Sequence, residues 1–452
     1  MAPHVDKLRH TVMIKHHTEA EYGNWAMVGA FILCFAGSAL YLAPPMRPFL
    51  WGAALVCLTV VFSPAWRKVA LQCRLLVPIL LALALTAAQW LWADHMGRYY
   101  AYAVMMAVGC AHALLGEMLA RKMPQALDWL LPLAAMWFIV AFFPAYDVLT
   151  GSSRFRPGYI MTGGVWDNIN DMATVLLFAC LIWFLAKGRL SLWLLGGAWL
   201  YIVALNRRAD LAAIILFTGC YLIWLYPRPK RAHRLQVIGV ITAAIAVALL
   251  LHRGAFYLGS LPLMGSSAPV QEAPVERVSP ANMGLPSIPA VWHDTANFDA
   301  YKHATTAAKP PEGVVAEGGD FSSAIRVSLL LEMAEVARQL PWWQFLVGMG
   351  AGQLNLTWPL TGSPWASPHF FWLEMLFYVG IAWAAFLLWL FWRLNWRGRI
   401  ALLCCGLAGM APSSMVYFQP FWFFAGILAA SIPPRRQSVV PAAEASALQQ
   451  TH

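Results

Sequence analysis

Long apolar runs separated by short polar segments set the pattern of this chain of 452 residues. Twelve runs stand out, and most are about 15 to 25 residues long, the length with which an α-helix crosses a bilayer core of roughly 30 Å. The first run lacks a short apolar core followed by a small-residue cleavage site, so we expect a retained helix rather than a signal peptide. We predict an all-α integral membrane protein with about twelve transmembrane helices, at approximately 25–43, 49–64, 75–93, 99–120, 127–146, 172–187, 191–206, 211–226, 235–252, 369–392, 400–415 and 416–433.

The basic residues predict the orientation of these helices, because Lys and Arg concentrate in the cytoplasmic loops of membrane proteins. If the N-terminus is cytoplasmic, every inner segment carries at least two basic residues, and most outer segments are poor in them. We therefore predict an inner N-terminal tail (1–24), spans one to nine (25–252), a large outer loop (253–368), spans ten to twelve (369–433) and an inner C-terminal tail (434–452).

The large outer loop has two parts. Up to about residue 320 it is rich in Pro, Gly, Ala and Ser, which is typical of irregular structure. From Ser322 to Leu340 apolar residues recur at helical spacing, which predicts an amphipathic helix. Such a helix can lie on a membrane surface or cover a cavity.

Composition agrees with a membrane protein, since 60% of the residues are hydrophobic and only 12% are charged. The formal net charge of +10 does not indicate nucleic acid, because most basic residues lie in short loops, where they set topology and contact anionic lipid headgroups. The eight cysteines lie in or beside apolar runs without a zinc spacing, so we expect no disulfide framework. With no Walker A sequence and no convincing metal-ligand cluster, we predict neither a cofactor nor a metal ion.

Two adjacent arginines lie in a very short outer turn. Arg207 and Arg208 join two spans of only about 16 residues each, which draws their turn toward the hydrocarbon region. A guanidinium there needs water or a counter-ion. One interpretation is an interfacial anchor paired with Asp210; the other is an anion site in a wet cavity, because the planar guanidinium matches two phosphate oxygens.

Two further features carry possible chemistry near the end of the large loop. His369 precedes the tenth span and suits a general base at neutral pH, although an interfacial histidine is the simpler alternative. The glycine-rich run from Gly348 to Gly352, centred on Gly350, can present backbone amides to an anion or can simply form a flexible turn.

The order of these segments resembles the O-antigen ligase and polysaccharide polymerase superfamily, the Wzy-C type membrane glycosyltransferases. Phe370 stands where that family usually has asparagine, and Asn206 and Arg208 stand where it has serine and glycine. The matching segments are Asp167–Ala173 (DNINDMA, for the family's NPNDLA), Asn206–Ala209 (NRRA, for SRGA), Arg326 with the helix and Val347–Gly352 (VGMGAG) that follow it, and His369–Gly380.

The resemblance implies a GT-C-like fold and a site on the periplasmic side of a bacterial inner membrane. There the family moves a glycan from undecaprenyl diphosphate to an acceptor, without metal or nucleotide. Diphosphate is already a good leaving group, so positive charge has to meet the negative charge that develops on it. By this resemblance the catalytic residues are His369 and Arg207, and the residues that bind the diphosphate or the glycan are Arg208, Arg326, Arg156, Asn168, Asn170 and Gly350.

Several functions remain open at this point. An O-antigen ligase uses the lipid A–core as acceptor, a polymerase uses the end of another lipid-linked repeat, and a protein O-oligosaccharyltransferase uses a protein. A flippase or transporter of lipid-linked saccharides belongs to another class, and such proteins tend to have internal repeats and charged groups near the midplane. Here the notable polar groups gather on the outer side, which favours a glycosyltransferase over a transporter. Among the three glycosyltransferases, we slightly favour the ligase.

Overall fold

A computed structural model describes residues 21–35, 47–140, 169–204, 207–225, 231–260, 321–357, 364–365, 370–410 and 415–433 of the chain. These residues are almost entirely helical. The helices are α1 (21–35), α2 (Pro48–Phe62), α3 (Pro64–Leu71), α4 (Leu76–Ala88), α5 (Met96–Lys122), α6 (Leu130–Val140), α7 (Ile169–Lys187), α8 (Leu192–Ala204), α9 (Arg208–Leu225), α10 (Arg231–Ser260), α11 (Phe321–Gln339), α12 (Trp342–Val347), α13 (Phe371–Val379), α14 (Ile381–Arg393), α15 (Trp396–Ala408) and α16 (Gln419–Ala430).

Short elements fill the connections. Single 3-10 turns lie at Gln89–Trp92, Pro124–Trp129 and Met415–Tyr417. Two antiparallel strands of two residues each, β1 (Leu356–Thr357) and β2 (Pro364–Trp365), follow α12.

Helices occupy every one of the twelve apolar runs, and α11 confirms the helix predicted in the second part of the large loop. Within the described ranges, however, only two helices are long and apolar enough to cross a membrane unaided: α5 and the Ala232–Leu250 part of α10. A third candidate is the pair α2 and α3, which bends by 102°. The all-α class and helices of membrane-spanning character are therefore established, and the number of spans is not.

The break at the end of the predicted span 49–64 and the interruption of the predicted span 369–392 both have identifiable reasons. Pro64 begins α3 directly after α2. In a continuous helix its ring would clash with the carbonyl four residues earlier, and it has no backbone N–H to bond that carbonyl. The predicted tenth span, 369–392, is split into α13 and α14 at Gly380, whose φ is +75°. That backbone angle ends a helix and is strained for any residue with a Cβ.

The centre of the bundle is the crossing of α5 and α16, which glycines bring into close contact. Gly109 packs against the Trp422 indole ring, and Gly116 faces the backbone of Phe423. Gly426 faces the Ala113 carbonyl oxygen so closely that a Cβ would overlap it, and that Cβ would also lie 2.7 Å from the Glu117 nitrogen. Small residues at a crossing let two backbones approach, which is how membrane helices commonly associate.

The directions of three central helices follow from their contacts. The Tyr102 and Tyr417 rings lie 5.0 Å apart near the starts of α5 and α16, so these two helices run parallel. Phe178 of α7 stacks on Phe424 of α16 at 4.9 Å. Lys187, the last residue of α7, lies 2.6 Å from Asp128, which follows the end of α5. The three helices therefore begin at one end of the bundle and finish at the other.

The end where they finish gathers basic residues, and we call it the basic end (Arg74, Arg121, Lys122, Lys187 and Arg397). The buried Glu117 carboxylate lies among them: it accepts bonds from the Arg74 and Leu75 amides and from the Arg121 guanidinium at 2.6 Å. Partial burial, together with the positive charge of Arg121, lowers the pKa of Arg74. Lys122 stacks over the Trp66 ring, and Arg397 over the Trp224 ring. The structure thus brings together basic residues from four of the loops predicted to be cytoplasmic.

Candidate functional site

Arg207 lies at the opposite end of the bundle, immediately before α9. Its amide donates to the Ile202 carbonyl of α8, and its own carbonyl accepts from Leu211 of α9, so the backbone is fixed on both sides. Its side chain is half-buried, whereas that of its neighbour Arg208 is exposed. The two adjacent guanidinium groups therefore differ in their surroundings.

A group of polar side chains surrounds Arg207, and we call it the Arg207 cluster (Asp171, Thr174, Tyr201, Arg207 and Asp210). Asp210 is fully buried and accepts a hydrogen bond of 3.1 Å from the Thr174 hydroxyl. The positive charge of Arg207 acts on the Asp210 carboxyl and on the buried Tyr201 phenol, and the Asp171 carboxylate also acts on that phenol. The hydrogen bond that the structure gives the Asp210 carboxylate comes from Thr174, and an interfacial anchor that pairs Arg207 with Asp210 stays an interpretation of the sequence.

The Arg207 cluster joins two of the segments on which the family resemblance depends. Asp171 belongs to the DNINDMA segment, Thr174 follows that segment directly in α7, and Arg207 belongs to the NRRA segment. Asn170 lies in α7, but its side chain is not among those described, and Asn168 lies outside the described residues. What the cluster offers chemically is a half-buried arginine whose backbone is fixed on both sides, carboxylates in the same cluster, and a second, exposed arginine next to it.

Gly350 belongs to a tight turn that is buried against three other segments. Gly348, Gly350 and Gly352 have φ angles of +80°, +108° and +71°, which glycine adopts at little cost. Three amides of this turn already donate within the chain: Gly348 to Gln344, Met349 to Phe377, and Ala351 to the Gln89 side chain. The predicted role of Gly350 in binding the diphosphate stays a prediction, and the turn has a clear structural role.

The Gln89 side chain connects that turn to the rest of the molecule. Its amide nitrogen donates to the Val347 carbonyl at 2.8 Å and to the Tyr378 carbonyl at 2.7 Å, and its oxygen accepts from Ala351. Gln89 is 1% exposed, so water cannot replace these bonds easily. One side chain thus holds the 3-10 turn after α4, the glycine turn and the end of α13 together.

We expect Gln89→Leu to destabilise the protein by roughly 2–4 kcal/mol, because it leaves two carbonyl groups and one amide buried without their partner. Thermal unfolding of the purified protein in detergent measures this loss. Gln339→Leu, at an exposed position of α11, is the control and should leave the unfolding temperature nearly unchanged. Equal unfolding temperatures for the two variants would contradict the structural role of Gln89.

The remaining predicted site residues cannot be placed by their side chains. His369 and Arg156 lie outside the described residues. Arg326 lies in α11, but its side chain is not among those described. Their proposed roles remain predictions.

Sequence reasoning missed a buried polar group between α5, α13 and the 3-10 turn before α16. We call it the tyrosine chain (Tyr417, Tyr102, Tyr378 and Glu374). The Tyr102 ring lies 5.4 Å from that of Tyr378 and 5.0 Å from that of Tyr417. Glu374 is fully buried, and its negative charge acts on all three phenols. The spacing of Glu374 and Tyr378, four residues apart, was the only part visible in the sequence.

Aromatic contacts connect the helix that follows His369 to the helix that carries part of the Arg207 cluster. Phe371, at the start of α13, packs on Phe421 of α16 with 4.6 Å between ring centroids. Phe421 lies 6.5 Å from Phe178, one helical turn beyond Thr174 in α7. The starts of α7 and α13 therefore lie at the same end of the bundle, opposite the basic end.

Among the described residues, no group of three or more His, Cys, Asp or Glu side chains could hold a metal ion. All eight cysteines are free thiols. No protein-family model matches this chain, and neither a curated protein nor a solved structure is significantly similar to it.

Proposed function

We propose that this protein is a glycosyltransferase of a bacterial inner membrane that transfers a glycan from undecaprenyl diphosphate to an acceptor on the periplasmic side. The observation that carries the proposal is the Arg207 cluster, because it joins two sequence segments that resemble the Wzy-C type family. Those segments end and begin 33 positions apart in the chain, and the residues that directly follow them, Thr174 and Asp210, are joined by a hydrogen bond of 3.1 Å.

The proposed orientation in the membrane rests on the distribution of charge. The basic end gathers arginines and lysines, as cytoplasmic ends of membrane proteins do, so the Arg207 cluster faces the other side of the membrane. On this proposal the chain has about twelve spans, with short or bent helices contributing to several of them, and residues 253–368 form a periplasmic loop.

The proposed chemistry is a direct displacement at the first carbon of the donor sugar. The acceptor oxygen forms a new bond to that carbon, and the bond to the diphosphate breaks with its electron pair on the diphosphate. Arg207, with Arg208 next to it and with Arg326 and Arg156, supplies positive charge to the leaving diphosphate. Such an attack inverts the configuration of the anomeric carbon.

A group that accepts the proton of the acceptor hydroxyl is also required. The sequence assigns this role to His369, which immediately precedes Phe370 and the start of α13. Asn168, Asn170 and Gly350 are proposed to contact the donor.

Product analysis tests this function directly. The purified full-length protein, in lipid nanodiscs, is given one undecaprenyl-diphosphate-linked glycan and two acceptors, lipid A–core and a second lipid-linked repeat, with no added metal or nucleotide. We expect donor consumption and an inverted glycosidic bond. A product on lipid A–core identifies a ligase, and a lengthened lipid-linked glycan identifies a polymerase.

Two results would count against this function. Movement of a fluorescent lipid-linked donor across the bilayer, with no new glycosidic bond, identifies a transporter instead. If the donor stays intact in the presence of both acceptors and of a protein acceptor, the protein is not a glycosyltransferase.

A further inference from the structure

Three aromatic rings enclose one arginine at the basic end, and we call them the aromatic box (Phe184 of α7, Trp224 of α9 and Trp396 of α15). The Trp224 ring lies 5.2 Å from that of Trp396 and 6.5 Å from that of Phe184, between centroids. The guanidinium carbon of Arg397 lies 5.0 Å from the Trp224 centroid and 5.7 Å from that of Phe184. Trp396 is slightly farther, at 5.8 Å. Three helices that are distant in sequence therefore meet around one positive charge.

The contacts of Arg397 leave its hydrogen-bond donors available. Aromatic rings attract the charge and the flat face of a guanidinium, but they do not occupy the N–H groups that lie in its plane. Among the residues that the structure describes, no carboxylate or carbonyl oxygen accepts a hydrogen bond from Arg397. Arg121 and Arg399 differ in this respect, since Arg121 bonds to Glu117 and Arg399 donates to the Phe391 carbonyl at 3.1 Å.

The donor edge of Arg397 faces the turn that ends α7. Gly188 of this turn has a φ of +68°, and a Cβ on it would lie 2.8 Å from one terminal nitrogen of Arg397 and 3.8 Å from the other. Arg189 follows directly, and its exposed side chain has no ion pair or hydrogen bond with another described residue. Lys187, on the other side of Gly188, is paired with Asp128 at 2.6 Å. Two arginines with available donors therefore adjoin one turn.

Exposed indole rings indicate the depth of this turn in a membrane. Trp193, five residues after Gly188, is 89% exposed, and Trp392 at the end of α14 is 66% exposed. Tryptophan concentrates at the level of the lipid headgroups, where one end of its ring meets hydrocarbon and the other meets water. At that level the phosphate groups of phospholipids are the most abundant anions, and anionic lipids bind to basic groups between membrane helices.

We propose that Arg397 and Arg189 bind the phosphate of one anionic phospholipid in the leaflet at the basic end. The planar donors of Arg397 match two phosphate oxygens, and the aromatic box holds the guanidinium in one orientation, so little side-chain freedom is lost on binding. This site differs from the diffuse attraction of basic loops to a membrane, because it takes a single lipid and prefers one headgroup charge. It goes beyond glycan transfer and does not depend on it.

The test measures lipid binding to the full-length protein. The protein, stripped of lipid in detergent, is titrated with phosphatidylglycerol or with phosphatidylcholine of the same acyl chains, and native mass spectrometry gives the dissociation constant of the tightest-bound lipid. Both lipids carry the phosphate, but the choline group cancels its charge. We expect phosphatidylglycerol to bind to the wild type about fivefold more tightly or better.

The variants assign this preference to the site. Arg397→Gln should weaken phosphatidylglycerol binding about tenfold, because it removes a charge-assisted pair of hydrogen bonds. Arg397→Lys keeps the charge without the planar donors and should recover only part of the affinity. Arg338→Gln is the matched control: it removes an exposed arginine from α11, where the side chain pairs with Glu335, and it should leave lipid binding unchanged.

A second measurement separates binding from packing. Phosphatidylglycerol should raise the unfolding temperature of the wild type more than phosphatidylcholine does, and Arg397→Gln should lose this difference whatever its own stability. A purely structural arginine would lower the unfolding temperature and leave the difference between the two lipids intact, and that result overturns the proposal.

Three further outcomes also contradict it. Equal affinities of the wild type for the two lipids remove the preference, and Arg397→Gln with unchanged phosphatidylglycerol binding removes the site. Inorganic phosphate that displaces the lipid at equal concentration identifies a site for free anions instead. Should Arg397→Gln fail to fold, the exposed Arg189→Gln carries the test: it should weaken phosphatidylglycerol binding about fivefold, and an unchanged affinity overturns the proposal.

Discussion

Arg207→Ala is expected to lower the rate of glycan transfer by about 10²–10³-fold, because it removes a positive charge from the place where the leaving diphosphate becomes more negative. The loss should appear in kcat as well as in kcat/KM, since the interaction strengthens as the reaction proceeds. Arg207→Lys keeps the charge but loses the planar pair of donors, and it should recover only part of the rate. Single-turnover transfer in nanodiscs measures the rates of the wild type, of Arg207→Ala and of Arg207→Lys.

The neighbouring arginine provides the matched control. Arg208 is exposed and Arg207 is half-buried, so Arg208→Ala should cost distinctly less. Truncating Arg207 also removes a positive charge that acts on the buried Asp210, which could lower the rate through misfolding alone. The double variant Arg207→Ala/Asp210→Asn removes both charges. If it regains wild-type transfer, Arg207 has a structural role only and its catalytic assignment is wrong.

Gly426→Ala is expected to have the largest effect on stability, on the order of 3 kcal/mol or more, because its Cβ would overlap the Ala113 carbonyl oxygen. The obstacle is backbone within α5, so no side-chain rotation can relieve it and the two central helices would have to separate. Fluorescence-detected size-exclusion after heating measures the loss. Gly239→Ala in α10 is the control, since a Cβ there meets nothing within 4 Å and helix propensity even favours alanine.

A glycine at the crossing is thus expected to be more sensitive than a glycine on the surface. Equal thermal stability of the two variants would contradict the close approach of α5 and α16.

The helices were predictable because each depends on a local run of apolar residues, and α5, α7 and α11 begin and end within a few residues of their predicted limits. The breaks were less predictable. Gly380 lies inside a continuous apolar run, and what ends the helix there is its close contact with Gly348, from a distant part of the chain. Local pattern cannot show a backbone angle that a long-range contact imposes.

In the candidate site, too, local features could be predicted from the sequence and contacts between distant residues could not. That Arg207 and Asp210 lie near each other was predictable, since they are three positions apart at the start of a helix. The bond from Thr174 to Asp210 and the contacts of Tyr102 with Tyr378 and Tyr417 join residues from separate helices. Tyrosines in apolar runs are ordinary, so no composition signal distinguished these three from the other tyrosines of the chain.

The interruption at Gly380 has a mechanical consequence. At about 1.5 Å per residue, the nine residues of α13 extend only about 13 Å, less than half of a bilayer core. The Gly380 backbone is packed against Leu346 of α12 and against Gly348, so the junction of α13 and α14 is supported by protein backbone rather than by lipid.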